Sequence, residues 1–185
     1  MELRISPGPV RHMNSMDMKE ALRFAYPPVR EAAVKAAEQL RHLGVRYALA
    51  GGLALGAHGY IRATTDVDFL VGDEAFEHHG SLVTYKPGIP VEIDGIRIDY
   101  LSPVSLNPQL EEVLDHPVMS GGLPVVPVEV LIYMKLIAKR RRDVVDVIEL
   151  INAGADVKRV RDYLTRYAKD LLPSFEELVN EALTD

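Results

Sequence analysis

Two glycines and two aspartates stand where they could do chemistry together. An apolar run from Tyr47 ends in Gly51-Gly52, a segment of helical character follows, and an apolar strand opens with Asp66-Val67-Asp68. Glycine has no Cβ, so a phosphate can come close to the free backbone N–H groups at the start of a helix. A tight strand-to-helix turn with no ligand asks for the same two residues. Side chains alternate along a strand, so Asp66 and Asp68 share a face, with Cα atoms about 6.5 Å apart. Two carboxylates that converge repel each other unless a cation stands between them. Mg2+ commonly takes one or two carboxylates together with substrate phosphates. A polar strand end facing water has the same pattern, so the pair gains meaning from its neighbours.

A third acid lies further on, in Gly95-Ile-Arg-Ile-Asp-Tyr-Leu101. Ile96, Ile98 and Tyr100 alternate with Arg97, Asp99 and Leu101. Arg97 and Asp99 therefore share a face, which suits an ion pair. If this strand lies in the same sheet, Asp99 can stand beside Asp66 and Asp68. Three carboxylates could then hold two divalent cations about 3.5–4 Å apart. Asp99 would also be the natural proton acceptor from a hydroxyl nucleophile.

Several elements must position these groups. Residues Met1 to about Ser15 have no periodicity and suggest an arm, and Met16 to Phe24 suggest a short helix stopped by Pro27-Pro28. Val29 to Leu43 is an amphipathic helix with Val34, Ala37, Leu40 and Leu43 near helical spacing, and Gly44 suits its C-terminal cap. Strands are expected over Val45–Ala50, Asp66–Val71, Leu82–Tyr85, Val91–Ile93 and Ile96–Leu101. Asp94-Gly95 joins the last two as a hairpin turn. Leu106 to Leu114 is expected to be a helix and Val125-Val126 a short strand. Beyond Pro127 the pattern turns helical, over Val128–Lys139, Asp143–Asn152, Asp156–Ala168 and Ser174–Leu183. The expectation is an α/β (α+β) fold with a mixed sheet flanked by helices and a C-terminal helical bundle. Its parts are residues 1–28 as arm and short helix, 29–126 as α/β core, and 127–185 as helical region.

On the first of these later helices Leu131, Met134, Lys135 and Ala138 share a stripe. A lysine in an apolar stripe is costly unless its ammonium finds a partner or reaches solvent. Asp143 and Asp146 are one turn apart and can pair with Arg142 or Arg140, or simply favour a helix start. Arg62, Thr64 and Thr65 precede the acids and either touch phosphates or shape the turn. His58, His78 and His79 lack the partners of a metal site, and Ser120-Gly121-Gly122 suits a turn.

Residues 47–71 resemble the signature of the DNA polymerase β-like nucleotidyltransferase superfamily: Gly-Gly, a helix, Asp-X-Asp, and a third acid on a later strand. Arg62-Ala-Thr-Thr-Asp-Val-Asp68 is similar to the form found in abortive-infection type toxin nucleotidyltransferases and small bacterial relatives. The likeness spans roughly residues 30–152. It implies an Mg2+- or Mn2+-dependent transfer of a nucleoside monophosphate from a nucleoside triphosphate to an acceptor hydroxyl. Asp66, Asp68 and Asp99 would hold metal. Gly51, Gly52, Arg62, Thr65, Lys135 and Asp143 would serve the nucleotide, with Lys135 against the triphosphate. The acceptor would be RNA or tRNA, a protein or a small molecule, and a cognate antitoxin would be a partner if the chain is a toxin. The alternative is a non-catalytic module that keeps the fold and binds a nucleotide or a partner; a third reading is a structural partner protein with the helices from Asp156 onward as its interface.

The 185 residues contain no cysteine, which excludes disulfides, thiolate metal sites and cysteine nucleophiles. The net charge of −6 argues against binding nucleic acid by bulk charge, and Lys139-Arg140-Arg141-Arg142 is a local exception. No apolar run approaches the roughly 20 residues that span a bilayer, and the N-terminus lacks the layout of a signal peptide. A cytoplasmic protein is expected.

Overall fold

The structure, a computed structural model, describes residues 26–184. The arm and short helix expected before Pro27 lie outside the described residues. The chain runs through α1 (Pro27–His42), β1 (Tyr47–Leu49), α2 (Gly51–Ala57) and β2 (Asp66–Val71). It continues through the hairpin β3 (Phe76–His79) and β4 (Leu82–Tyr85), then β5 (Glu92–Ile93) and β6 (Ile96–Leu101). Two short helices, α3 (Pro103–Leu106) and α4 (Glu111–Asp115), lead to β7 (Val118–Ser120) and β8 (Leu123–Val125). Four helices follow: α5 (Val128–Ala138), α6 (Arg141–Asn152), α7 (Val157–Tyr167) and α8 (Leu172–Ala182).

Six strands form one mixed sheet in the order β5-β6-β2-β1-β8-β7, and β3 pairs with β4 alone. β2 runs antiparallel to β1 and parallel to β6, and β1 runs parallel to β8. This is the expected α/β fold, a mixed sheet flanked by helices and followed by a helical bundle in which α5 packs on α6 and α7, and α8 on the same two. One cluster of buried side chains runs from Val29 in α1 through the sheet to Phe175 in α8.

Alanine-rich α1 buries Val29, Ala32, Ala33, Ala36, Ala37 and Leu40, small side chains that bring the helix close to β2 and β6. Val34, expected on that face, is exposed. Gly44 adopts φ +70° and gives its N–H to Arg41, the expected glycine cap. Asp94 and Gly95 both take positive φ, as a two-residue hairpin turn demands.

The helix expected over Leu106–Leu114 is broken. Pro108 disfavours helical backbone at Asn107, which is extended at φ −164° and ψ 122°. Asn107 then caps a single 3-10 turn, and α4 begins only at Glu111. Further on, α5 is buried on nearly every side, which its dense apolar sequence requires. It ends at Lys139, held at φ 53°. No helix among the described residues is long and apolar enough to cross a membrane.

Candidate functional site

The acids meet at one rim of the sheet. β2 and β6 pair in parallel with Asp68 opposite Asp99 and Asp66 opposite Arg97. Alternation turns Val67, Phe69, Ile98 and Tyr100 into the core, which leaves Asp66, Asp68 and Asp99 on the other face. Burial pushes the Asp68 carboxyl above its ordinary range. Repulsion from Asp66 and Asp99 adds to the shift, and Lys135 and Arg140 partly offset it.

The glycines are needed here for a reason the sequence did not reveal. Gly51 opens α2 at φ +56°, and a Cβ built on it would lie 1.8 Å from Asp68 Oδ2. A Cβ on Gly52 would lie 2.6 Å from Thr64 Oγ1. Both glycines therefore admit the side chains of the β2 segment against the start of α2. Thr64 Oγ1 donates to Asp66 Oδ1 at 2.9 Å and orients that carboxylate.

A cleft of about 430 Å³ opens over this rim. Its walls include Gly51, Gly52, Thr64, the three acids, Tyr85, Arg97, Lys135, Arg140 and Arg142. Thr65, expected at the site, is exposed and does not line the cleft. Thr64 takes its place, and the signal was present, because Thr64 has the same strand parity as Asp66 and Asp68. Tyr85 and Leu106 arrive from β4 and α3, where nothing in the local sequence marks them.

Behind the acids lies a buried charge network. Lys135 is only 6 % exposed, and its Nζ donates to Asp143 Oδ1 at 3.0 Å and Asp146 Oδ2 at 2.7 Å. Arg62 forks onto Asp146 through Nε at 2.7 Å and Nη2 at 3.0 Å. Arg140 does the same to Asp143, at 2.7 and 3.2 Å. Burial alone would push the Asp143 carboxyl up, but hydrogen bonds from Arg140 and Lys135 hold it below its ordinary range. Each aspartate is thus shared between Lys135 and one arginine, and the partner of Asp143 is Arg140 rather than Arg142. The lysine lines the cleft while its ammonium is engaged in the wall. Asp143 is likewise part of that wall and does not line the cleft.

Arg97 is the cation at the mouth. Its Nη2 lies 2.7 Å from Asp99 Oδ2 and 3.3 Å from Asp66 Oδ2. Among the described residues no group of three or more His, Cys, Asp or Glu side chains is gathered to hold a metal ion unaided. The donor set is nevertheless all carboxylate oxygen, which suits Mg2+ or Mn2+ when phosphates and water complete the shell.

The remaining candidates stand apart from the cleft. His58 Nε2 donates to the Val126 carbonyl at 2.8 Å, and burial lowers the ring's pKa. His78 and His79 are exposed beside Asp73 and Glu77. Gly121-Gly122 turns β7 into β8.

What fold and site define is a mixed α/β protein with a cleft at one sheet rim, lined by three aspartates and by arginine and lysine side chains. No protein-family model matches the chain, and no curated protein matches it. Among solved structures it is similar to an antigenic nucleotidyltransferase-like protein from Paracoccidioides brasiliensis. The TM-score is 0.42 and the identity 16%, over 88% of this chain and 93% of that one.

Proposed function

We propose that this chain is a divalent-cation-dependent nucleotidyltransferase that moves a nucleoside monophosphate from a nucleoside triphosphate to an acceptor hydroxyl. The single observation that carries the proposal is the register of β2 on β6, which sets Asp99 directly beside Asp68 at the mouth of the cleft. The Gly-Gly…Asp-X-Asp resemblance supports it independently.

Asp66, Asp68 and Asp99 are the residues that would hold Mg2+ or Mn2+. Such a cation supplies neutralisation of phosphate charge and polarisation of the reacting phosphorus. Asp99, whose side chain is 37% exposed, would accept the proton of the acceptor hydroxyl. Gly51 and Gly52 line the cleft at the start of α2, where the triphosphate would lie. Lys135 and Arg140 keep the opposing wall positive, and Arg62, through Asp146, fixes the lysine. Positioning and fixed charge contribute most of the rate in this class of reaction.

The acceptor is RNA, tRNA included, a protein or a small molecule. The exposed run Lys139-Arg140-Arg141-Arg142 beside the cleft favours RNA. A toxin role, with a cognate antitoxin as partner, is the narrower form of the same proposal. The test is incubation with each labelled nucleoside triphosphate, Mg2+ and total cellular RNA or protein, followed by separation of the labelled fraction. Asp68→Asn and Asp99→Asn should each lower the transfer by about 10²-fold or more. Undiminished transfer in both purified variants would overturn the proposal.

One observation favours a second reading, a nucleotide- or partner-binding module without catalysis: Arg97 and Lys135 are both already engaged by carboxylates. Calorimetric titration separates the two. Nucleotide affinity that does not depend on Mg2+, with no label transferred to any fraction, favours the module.

A further inference from the structure

We infer that Arg97 competes with the divalent cation for Asp66 and Asp99, and so couples metal binding to nucleotide binding; the inference rests on the nucleotidyltransferase proposal. Arg97 differs from Arg62 and Arg140 at the cleft. Arg62 and Arg140 are anchored by Asp146 and Asp143, which are 0 % and 1 % exposed. Arg97 is anchored by site carboxylates instead, at 2.7 Å from Asp99 and 3.3 Å from Asp66. Its side chain is 68 % exposed, so it is free to leave along the rim.

The register explains why the guanidinium stands there. Arg97 lies directly across from Asp66 on the neighbouring strand and two residues before Asp99 on its own. Both carboxylates are therefore within reach of one short fork. A divalent cation would draw on the same two carboxylates, and Asp66 Oδ1 is already taken by Thr64. A guanidinium beside those oxygens opposes the cation, because like charges a few ångströms apart repel. Each weakens the hold of the other.

Displacement is unfavourable for a metal alone, because it breaks two ion pairs and leaves Arg97 in water. A nucleoside triphosphate changes the balance. Its phosphates complete the metal shell and offer the released guanidinium a planar, bidentate oxygen partner at the same rim. Metal and nucleotide should therefore bind with positive coupling, and Arg97 should be the source of part of it. In this role Arg97 is a positioning residue, which acts through the two carboxylates.

The test is a titration of the full chain with Mn2+, followed by electron paramagnetic resonance, with and without a non-hydrolysable nucleoside triphosphate analogue. Without nucleotide, Arg97→Gln should tighten Mn2+ binding by about fivefold, the size expected when two exposed ion pairs stop competing. Arg97→Lys keeps the charge and should stay near the parent protein. With the analogue present, the gap between Arg97→Gln and the parent should close. Thermal melting of each variant checks that it is folded. Mn2+ affinity in Arg97→Gln equal to or below the parent's would overturn the inference. If Arg97→Gln fails in that way while Asp68→Asn abolishes binding, the metal site stands and only the role of Arg97 fails. If no variant binds Mn2+ with or without the analogue, both the inference and the metal-dependent function fail.

Discussion

Asp68 Oδ2 occupies the space in which a Cβ on residue 51 would stand, 1.8 Å from its ideal position. The close approach links the two halves of the Gly-Gly…Asp-X-Asp stretch. The first glycine of α2 exists in this fold to admit the central acid of β2.

Gly51→Ala should therefore act twice. Alanine in the left-handed region costs about 1–2 kcal/mol, and the new methyl must push Asp68 out of line with Asp99. A lowered melting temperature together with weakened Mn2+ binding is the expected result. A variant with parental stability and unchanged Mn2+ affinity would show that the contact is dispensable.

Asp68→Asn should stabilise the protein at neutral pH while removing its chemistry. Burial and the neighbouring Asp66 and Asp99 carboxylates disfavour charge at Asp68 more than Lys135 and Arg140 favour it. The neutral amide relieves that repulsion, with a gain of about 0.5–2 kcal/mol, as is usual where a functional site is strained. A chain of this length gains about 2–4 °C per kcal/mol. Differential scanning calorimetry in the absence of divalent cations reads the sign, and a fall in melting temperature would contradict it.

Lys135→Met should be among the most destabilising single changes in the chain. It strips one cation from two carboxylates that are almost wholly buried. Breaking a buried pair costs about 3–5 kcal/mol, and this case should fall near the lower end because Arg62 and Arg140 remain. Urea unfolding measures it. If Lys135→Met instead keeps parental stability and loses nucleotide affinity alone, the lysine serves the ligand and not the wall.

Acid should weaken the same network in a predictable direction. The Asp143 carboxyl is held below its ordinary value in the folded chain. Its contribution is therefore complete above the unfolded carboxylate value of about 3.9. It is lost as pH falls through the lower, folded value. Urea midpoints measured from pH 7 downward should drop more steeply for the parent than for Asp143→Asn once pH falls below about 4. Parallel curves would remove Asp143 from the acid response.

Local periodicity made a large part of the molecule legible in advance. Alternation alone set Asp66 and Asp68 on one face, and the same rule applied one step earlier would have chosen Thr64 over Thr65. The Asp94-Gly95 hairpin followed from the positive φ that both positions tolerate. The stripe on α5 marked Lys135 as a lysine in need of a partner. At Leu106–Leu114 the proline that breaks the helix is itself a local signal.

Tertiary structure decided the rest, because register and helix packing depend on contacts between residues far apart in the chain. Nothing near residue 99 dictates that β6 lies parallel to β2 with Asp99 opposite Asp68. That pairing follows from burying Ile98 and Tyr100 beside Val67 and Phe69 in one core. The ammonium of Lys135 turns to Asp143 and Asp146 because α5 packs on α6, which gives a buried charge its cheapest partners. Arg97 meets both Asp66 and Asp99 only once two strands lie side by side. Local pattern sets which residues share a face; the folded sheet and bundle set which faces meet, since desolvation and charge pairing act across space and leave no local pattern.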